Sequence, residues 1–340
     1  MTDEVIIARQ GALGRITLNR PKALNALTLP MLRAIQSALD LWRTRPEILA
    51  VAVDGAGDRG FCAGGDIRAV HASAAARDGM AETFWREEFP LNAQIASYPK
   101  PYIVLMDGLV MGGGVGVSAH GSHRLVTDTT AVAMPETGIG FFPDVGATWL
   151  LSRAPGEVGT CLGMTGARMG AADAIFAGFA DQMIRREQWP VLLERLADAK
   201  SRQDVSKALR DADAGDAGPS SLAGLSAEIG AHFAGHAVEA IIASLRGSGS
   251  PFAQSALTTL SGRCPMSLKV TLAALRHART LPSLEACLAM ESRMVQAMSA
   301  RPDFLEGIRA AVIDKDQRPK WSPAALEDIS DESVRRIVCG

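Results

Sequence analysis

The sequence predicts an α/β layered core over residues 1–200 followed by a helical extension over residues 201–340. Three observations carry this. Short apolar runs at Ile48-Leu-Ala-Val-Ala-Val53 and Tyr102-Ile-Val-Leu-Met106 read as strands covered on both faces, the habit of parallel sheets between helices. Each run ends in an Asp-Gly pair and leads to a glycine-rich turn, so the unit recurs; strands alternating with helices give layers joined by right-handed crossovers. Past Ala199 the texture changes to helical spacing, as in Leu268, Leu272 and Leu275.

Taken in order, Val5-Ile-Ile7 and Arg15-Ile-Thr-Leu18 flank Gly11 and Gly14 and predict a strand pair. Leu32, Ile35, Leu39 and Trp42 then recur at helical spacing behind Thr28, a good N-cap, with Pro30 in the first turn. The strand from Ile48 is followed by the turn at Gly64-Gly65. Phe84-Trp-Arg-Glu-Glu-Phe89 predicts an amphipathic helix. Consecutive helical positions do not share a face, so either one of Glu87 and Glu88 points inward while the other pairs with Arg86, or the face is simply solvated. After Tyr102–Met106 and Asp107-Gly108, the triple glycine Gly112-Gly113-Gly114 leads into a helix expected from Val115. Arg124–Val126 and Ala131–Met134 are short strands, the second delivering Glu136 at its end. The small, acidic, turn-prone stretch from Asp211 to Ser221 is the linker candidate, and helical patterns run from there to about Ile337.

Composition excludes several classes. Hydrophobic residues make up 47% of the chain and the formal charge is −2, as for a soluble globular protein. No block of Lys and Arg interleaved with aromatics argues for nucleic acid as a partner. Asp3 and Glu4 precede a very short apolar run, which is neither a signal nor a transit peptide, and no stretch is long enough to span a bilayer. Five scattered cysteines without metal-type spacing fit a reducing cytoplasm. His232 and His236 have i,i+4 spacing without a surrounding metal motif, so a chance pair on a helix is favoured over a ligand pair. Ser118 is not in a Gly-x-Ser-x-Gly elbow, which removes support for a serine triad.

What remains is chemically specific. Glu136 and Asp144 share one short, mostly apolar loop, where carboxylates are rare unless paired or used. Asp144 alone reads as a cap for a helix through Thr148 and Leu151; Glu136 has no such account. The two glycine turns expose backbone N–H groups, and two converging donors are what an oxyanion needs. Carboxylates with amide donors are the parts for chemistry at a carbonyl.

These residues resemble the crotonase (enoyl-CoA hydratase/isomerase) superfamily, through Leu18-Asn-Arg-Pro-Lys-Ala-Leu-Asn-Ala-Leu27, Phe61-Cys-Ala-Gly-Gly-Asp-Ile67, Gly108 to Gly116 and Met134-Pro-Glu136. The resemblance implies a spiral of ββα units and an acyl-CoA thioester whose carbonyl is held by the N–H groups of Gly65 and Gly113. Lys22, Ala23 and Leu24, with Ala63, Gly65 and Asp66, would line the CoA site. Hydratases of this superfamily carry a second glutamate three residues past the oxyanion-hole glycine; here that position is Gly116, which transfers no proton. The segments Arg86-Glu-Glu-Phe89, Pro135 to Gly146 and Asp303-Phe-Leu-Glu-Gly-Ile-Arg through Trp321 are instead similar to the 3-hydroxyisobutyryl-CoA hydrolase family. That similarity implies thioester hydrolysis in valine degradation, with Glu136 attacking or activating water, Asp144 orienting the substrate hydroxyl or the water, and Glu88 binding that hydroxyl. It implies no metal or redox cofactor, CoA arriving with the substrate. Relatives are often trimers, which makes a homo-oligomer one expectation. An enoyl-CoA isomerase, which also uses a single glutamate, is the rival reading; a β-hydroxyacyl-CoA hydrolase of broader scope is a milder variant. A non-catalytic acyl-CoA or RNA-binding relative is the alternative from another class.

Overall fold

The computed structural model describes residues 2–212 and 214–340; Met1 and Asp213, the latter inside the expected linker, lie outside the described residues. The strands are β1 (Val5–Gln10), β2 (Leu13–Leu18), β3 (Ala50–Gly55), β4 (Gly60–Cys62), β5 (Tyr102–Met106), β6 (Leu109–Met111), β7 (His123–Val126), β8 (Ala131–Ala133) and β9 (Gln182–Met183). Six of them form a sheet in the order β1-β2-β3-β5-β7-β9, and three form a second sheet in the order β4-β6-β8. β1 and β2 pair antiparallel, as expected from the first two apolar runs, and β3, β5, β7 and β9 continue the large sheet in parallel.

By packing, the chain divides into two compact units that interleave along the sequence. The first comprises Met1–Asp66, Pro90–Val132 and Met169–Ser220; the second comprises Ile67–Phe89, Ala133–Arg168 and Ser221–Gly340. The change of texture near residue 200 is real: among the described residues, every regular element from Arg202 onward is helical. It is not where packing divides the chain. The last of the five packing boundaries falls after Ser220, at the end of the expected linker. The linker itself is pinned to the first unit, through a bridge between Ala214 and Ile184, a bond from Gly215 N–H to the Met183 carbonyl, and one from Ser220 Oγ to Asp173.

In the first unit the central strands β3 and β5 of the large sheet are buried on both faces. Leu13, Ala50, Ala52, Ile103, Leu105 and Leu125 alternate along their strands and pack with Leu192, Leu193 and Leu196 of the helix Gln188–Ala197. On the helix Leu29–Arg43, Met31, Leu32, Ile35, Leu39 and Trp42 form the buried stripe, and Thr28 Oγ1 accepts from the Met31 N–H as a cap should. Gly14 is glycine for a local reason: a Cβ there would lie 2.5 Å from the Trp42 ring.

The second unit is built around the helix Pro265–Ala278, whose buried residues include Met266, Leu268, Val270, Leu272 and Leu275 and so encircle it. A helix apolar on all sides belongs inside a bundle. It packs against Ala147–Arg153, Val158–Thr165 and the last helix, Asp331–Cys339. Among the described residues, no helix is long and apolar enough to cross a membrane.

Candidate active site

In the first unit, parallel pairing of β4 with β6 sets the two glycine turns side by side, because each turn follows its strand at the same end of the sheet. Gly64 adopts φ +107°, and a Cβ on it would meet the Met111 carbonyl at 3.2 Å and the Gly113 nitrogen at 3.6 Å. Gly112 adopts φ +48°, and the short helix begins at Gly113, two residues before the expected Val115, running only to Gly116. A Cβ on Gly114 would collide with the Cys62 carbonyl. Among the described residues, neither the Gly65 nor the Gly113 N–H donates to a protein acceptor. Two amide donors are therefore left for something else.

The same turn is laced to the segment Leu18–Leu27. Ala63 N–H donates to the Leu24 carbonyl at 3.0 Å, Leu27 N–H to Gly64 at 2.8 Å and Asp66 N–H to Leu27 at 2.8 Å. Leu24 and Asn25 both take left-handed backbone, φ +51° and +55°, which a non-glycine residue adopts when its surroundings fix it. Asn25 supplies the fixing: its Oδ1 accepts from Arg20 N–H, and its Nδ2 donates to the Ala56 and Gly60 carbonyls. Leu24, Ala63, Gly65 and Asp66 are thus gathered in one ladder, with Lys22 and Ala23 exposed on the turn beside it. Asp66 is already ion-paired to Arg20 at 2.9 Å, and Arg20 also binds Glu4.

The second unit holds the acids. Glu88 is 2% exposed, Glu136 7% and Asp144 5%. Of the two readings of Arg86-Glu-Glu, the inward one holds for Glu88, which lies on the buried side of the helix Met80–Ala96. The partner assigned to Arg86 differs: its guanidinium binds Thr83 Oγ1. Glu136 opens a short 3-10 turn, Glu136–Ile139, directly after β8 and Pro135. A wall of aromatics stands nearby, with Trp85 stacked on Phe141 at 5.7 Å and both rings against Phe304. Phe304 belongs to Pro302–Ile308, and Gly140 and Gly307 allow that helix and the 136–140 turn to touch backbone to backbone.

Burial governs the acidity here. It pushes the Glu88 carboxyl well above the usual range, and the charge of Asp144 adds to this. Burial and then Asp144 push Glu136 the same way, against a smaller pull from its own backbone N–H and from the Arg263 guanidinium. Asp144 is pushed up to about 7 by burial, opposed by its own N–H and by Trp85. Glu88 Oε1 and Glu136 Oε2 are buried without a hydrogen-bond partner among the described residues. Buried acceptors left open in this way suit a ligand that brings its own donor or electrophile.

Asp144 does not cap the helix Ala147–Arg153, whose N-cap is Gly146 and which receives no capping side chain from its own segment. The cap comes from Glu291 on the helix Leu284–Ser299, which accepts from Gly146 N–H at 2.6 Å and from Thr148 N–H at 3.1 Å. Burial pushes Glu291 up to about 8, with these donors pulling the other way. Sequence reasoning missed this residue, although a signal was present. Leu284, Cys287, Leu288, Met294, Val295 and Met298 form a buried helical stripe, and Glu291 interrupts it. In the first unit Asn92 is fully buried, and neither its Oδ1 nor its Nδ2 finds a partner among the described residues.

His232 lies in the last turn of the helix Ser221–Phe233 and His236 lies beyond it, so the expected pair on one helix does not form. His232 Nδ1 lies 2.8 Å from Ser244 Oγ, and among the described residues no group of three or more His, Cys, Asp or Glu could hold a metal ion. Among the described residues no cysteine is in a disulfide; four are buried and Cys339 is exposed.

The model of one protein family, enoyl-CoA hydratase/isomerase, matches residues 13–338. The chain is 44% identical over 337 residues to the mitochondrial 3-hydroxyisobutyryl-CoA hydrolase of Xenopus tropicalis, covering 97% of this chain and 87% of that protein. The human protein of the same name is 40% identical, with 98% and 87% covered. Among solved structures, a carnitinyl-CoA dehydratase from Mycobacterium thermoresistibile superposes with a TM-score of 0.94 at 43% identity, over 100% of this chain and 97% of that one. An enoyl-CoA hydratase from Rhodobacter sphaeroides superposes with a TM-score of 0.93 at 42% identity, over 99% and 97%.

Proposed function

The chain belongs to the enoyl-CoA hydratase/isomerase family and has its crotonase-like α/β fold with a helical C-terminal part, and from that premise we propose that it hydrolyses an acyl-CoA thioester, converting 3-hydroxyisobutyryl-CoA and water to 3-hydroxyisobutyrate and CoA. The similar proteins carry names from two chemistries, thioester hydrolysis and the addition or removal of water at a carbon–carbon bond. The observation that favours hydrolysis is Gly116. A hydratase needs a second proton-transferring side chain three residues past the oxyanion-hole glycine, and this position is a buried glycine.

In this reading the Gly65 and Gly113 N–H groups polarise the thioester carbonyl, and Glu136 carries the bond-making step. Either its carboxylate adds to the carbonyl carbon and expels CoA thiolate, leaving a mixed anhydride for water to cleave, or it takes the proton of the attacking water. Asp144 and Glu88 bind and orient the 3-hydroxyl or the water. Lys22, Ala23, Leu24, Ala63 and Asp66 face CoA, largely through main-chain atoms, since the Asp66 charge is engaged by Arg20. No metal or redox cofactor enters the scheme, nor does nucleic acid or a membrane, and assembly as a homo-oligomer is part of the same reading. The relatives' names include the word mitochondrial. For this chain we take a reducing compartment, the cytoplasm, on its free cysteines, and a place in valine degradation on its substrate.

The test is thiol release across 3-hydroxyacyl-CoA and 2-enoyl-CoA thioesters. We expect CoA release from 3-hydroxyisobutyryl-CoA and negligible hydration of crotonyl-CoA. Strong hydration without thiol release would reverse the assignment. A single turnover in ¹⁸O-labelled water separates the general-base route, which puts the label in the first product, from an anhydride cleaved by water at the Glu136 carbonyl, which puts the label in Glu136 and leaves the first product unlabelled.

A further inference from the structure

We infer that Glu291 is a positioning residue, acting through Asp144: its carboxylate holds the turn 144–148 in the conformation that presents Asp144, and so sets how strongly the enzyme favours a substrate bearing a 3-hydroxyl. This rests on the hydroxyl-orienting role proposed for Asp144.

Glu291 is fully buried, at a place in its helix where every neighbouring stripe position is apolar. An acid at such a site costs stability unless its oxygens are satisfied. They are satisfied by one short segment alone: Gly146 N–H at 2.6 Å on Oε2, with Thr148 N–H at 3.1 Å and Thr148 Oγ1 at 2.5 Å on Oε1. The two backbone donors are the first free N–H groups of the helix Ala147–Arg153, which lacks a capping side chain of its own.

The segment needs this restraint. Val145 has φ +53° and Gly146 φ +80°, so a β-branched residue is held in the left-handed region immediately after Asp144. Such backbone persists only where its surroundings over-determine it. Releasing Gly146 and Thr148 removes the bonds that Glu291 gives this turn, and any rotation at Val145 carries with it the peptide joined to Asp144. Both Glu291 oxygens are engaged by this segment, so it acts on Asp144 through the turn and not on substrate.

The experiment uses the full chain and compares Glu291→Gln, Glu291→Ala, Asp144→Asn and the double variant Glu291→Gln/Asp144→Asn. Each is assayed for kcat and KM on 3-hydroxyisobutyryl-CoA and on isobutyryl-CoA, which lacks the hydroxyl, and for Tm. Affinity for the corresponding unreactive thioethers is measured alongside. Gln retains one acceptor, so Glu291→Gln keeps the question open where Glu291→Ala fails to fold. We expect Glu291→Gln to lower kcat/KM on the hydroxylated substrate by up to about 10²-fold, as misplacement from a distance can. The loss on isobutyryl-CoA should be smaller, and in the Asp144→Asn background the ratio between substrates should not move further. A lower Tm with an unchanged ratio makes Glu291 purely structural and overturns the inference. Ratio changes that add to those of Asp144→Asn overturn it too. A wild-type protein that prefers the hydroxylated thioether yet releases no thiol rejects the hydrolase reading while leaving this inference testable by affinity; one that binds neither thioether rejects both.

Discussion

The glycine cradle of the first unit and the acid pocket of the second offer opposite kinds of group and are made in opposite ways. The cradle offers backbone N–H donors, and its parts come from two short motifs, 61–67 and 108–116, set together by the pairing of β4 with β6. Its geometry is fixed by sterics, since Gly64 and Gly114 sit where a side chain would meet backbone. The acid pocket offers side chains, and its parts are scattered from Trp85 to Phe304. Its properties are fixed by burial, which raises Glu88, Glu136 and Asp144 together. A donor needs only a place, whereas an acid also needs an environment. The first is carried by neighbouring residues, the second by the whole packed unit.

Removing the acid should therefore cost more than removing a donor. Glu136→Gln keeps the shape of the side chain and abolishes both its charge and its ability to accept a proton. We expect kcat to fall by about 10²–10⁴-fold, the usual span for a general base. Steady-state thiol release is the measurement, and a Glu136→Gln protein near wild-type rate removes Glu136 from the mechanism.

On the cradle side, Gly113→Pro deletes one N–H, and the expected loss is about 10²–10³-fold, as for one oxyanion donor. Circular dichroism establishes that the variant is folded. A folded Gly113→Pro with normal turnover places the donor elsewhere and breaks the comparison at its simpler end.

The smallest effect separates the two regions by pH. Glu88, Glu136 and Asp144 hold protons more tightly folded than unfolded, because each is raised. Their contribution to stability is full below the unfolded carboxylate range, about pH 4, and is lost as pH rises, through about 7 for Asp144. Activity runs the other way, since Glu136 must be ionised to act. We expect kcat/KM to rise with pH through a midpoint well above that of a free carboxylate while Tm falls over the same window. In Asp144→Asn the Tm slope should flatten, and in Gly113→Pro it should not change. A wild-type Tm that climbs over this window contradicts the assigned direction.

Legibility in the sequence followed the same divide. The capped helix behind Thr28, the strand pair at the start, both glycine turns and the placement of Glu136 next to β8 were readable, because each depends on residues a few positions apart. What could not be read depends on distant partners. Glu87 and Glu88 are alike in sequence, and only packing of Met80–Ala96 buries the second of them. Asp144 looked like a helix cap because its true counterpart, Glu291, lies 147 positions along. The stretch after Asp211 has linker composition, yet Ala214, Gly215 and Ser220 are tied down by strand and helix residues far upstream.

Glu291 and Phe304 also fix a point in the life of the molecule. Both are made well after Asp144, while every residue of the glycine cradle lies before position 117. A growing chain therefore carries its amide donors early, but its Asp144 turn has no clamp and its aromatic wall lacks a ring until Glu291 and Phe304 have been made. A chain cut before Glu291 would thus carry the Asp144 turn without the acceptor that holds Gly146 and Thr148.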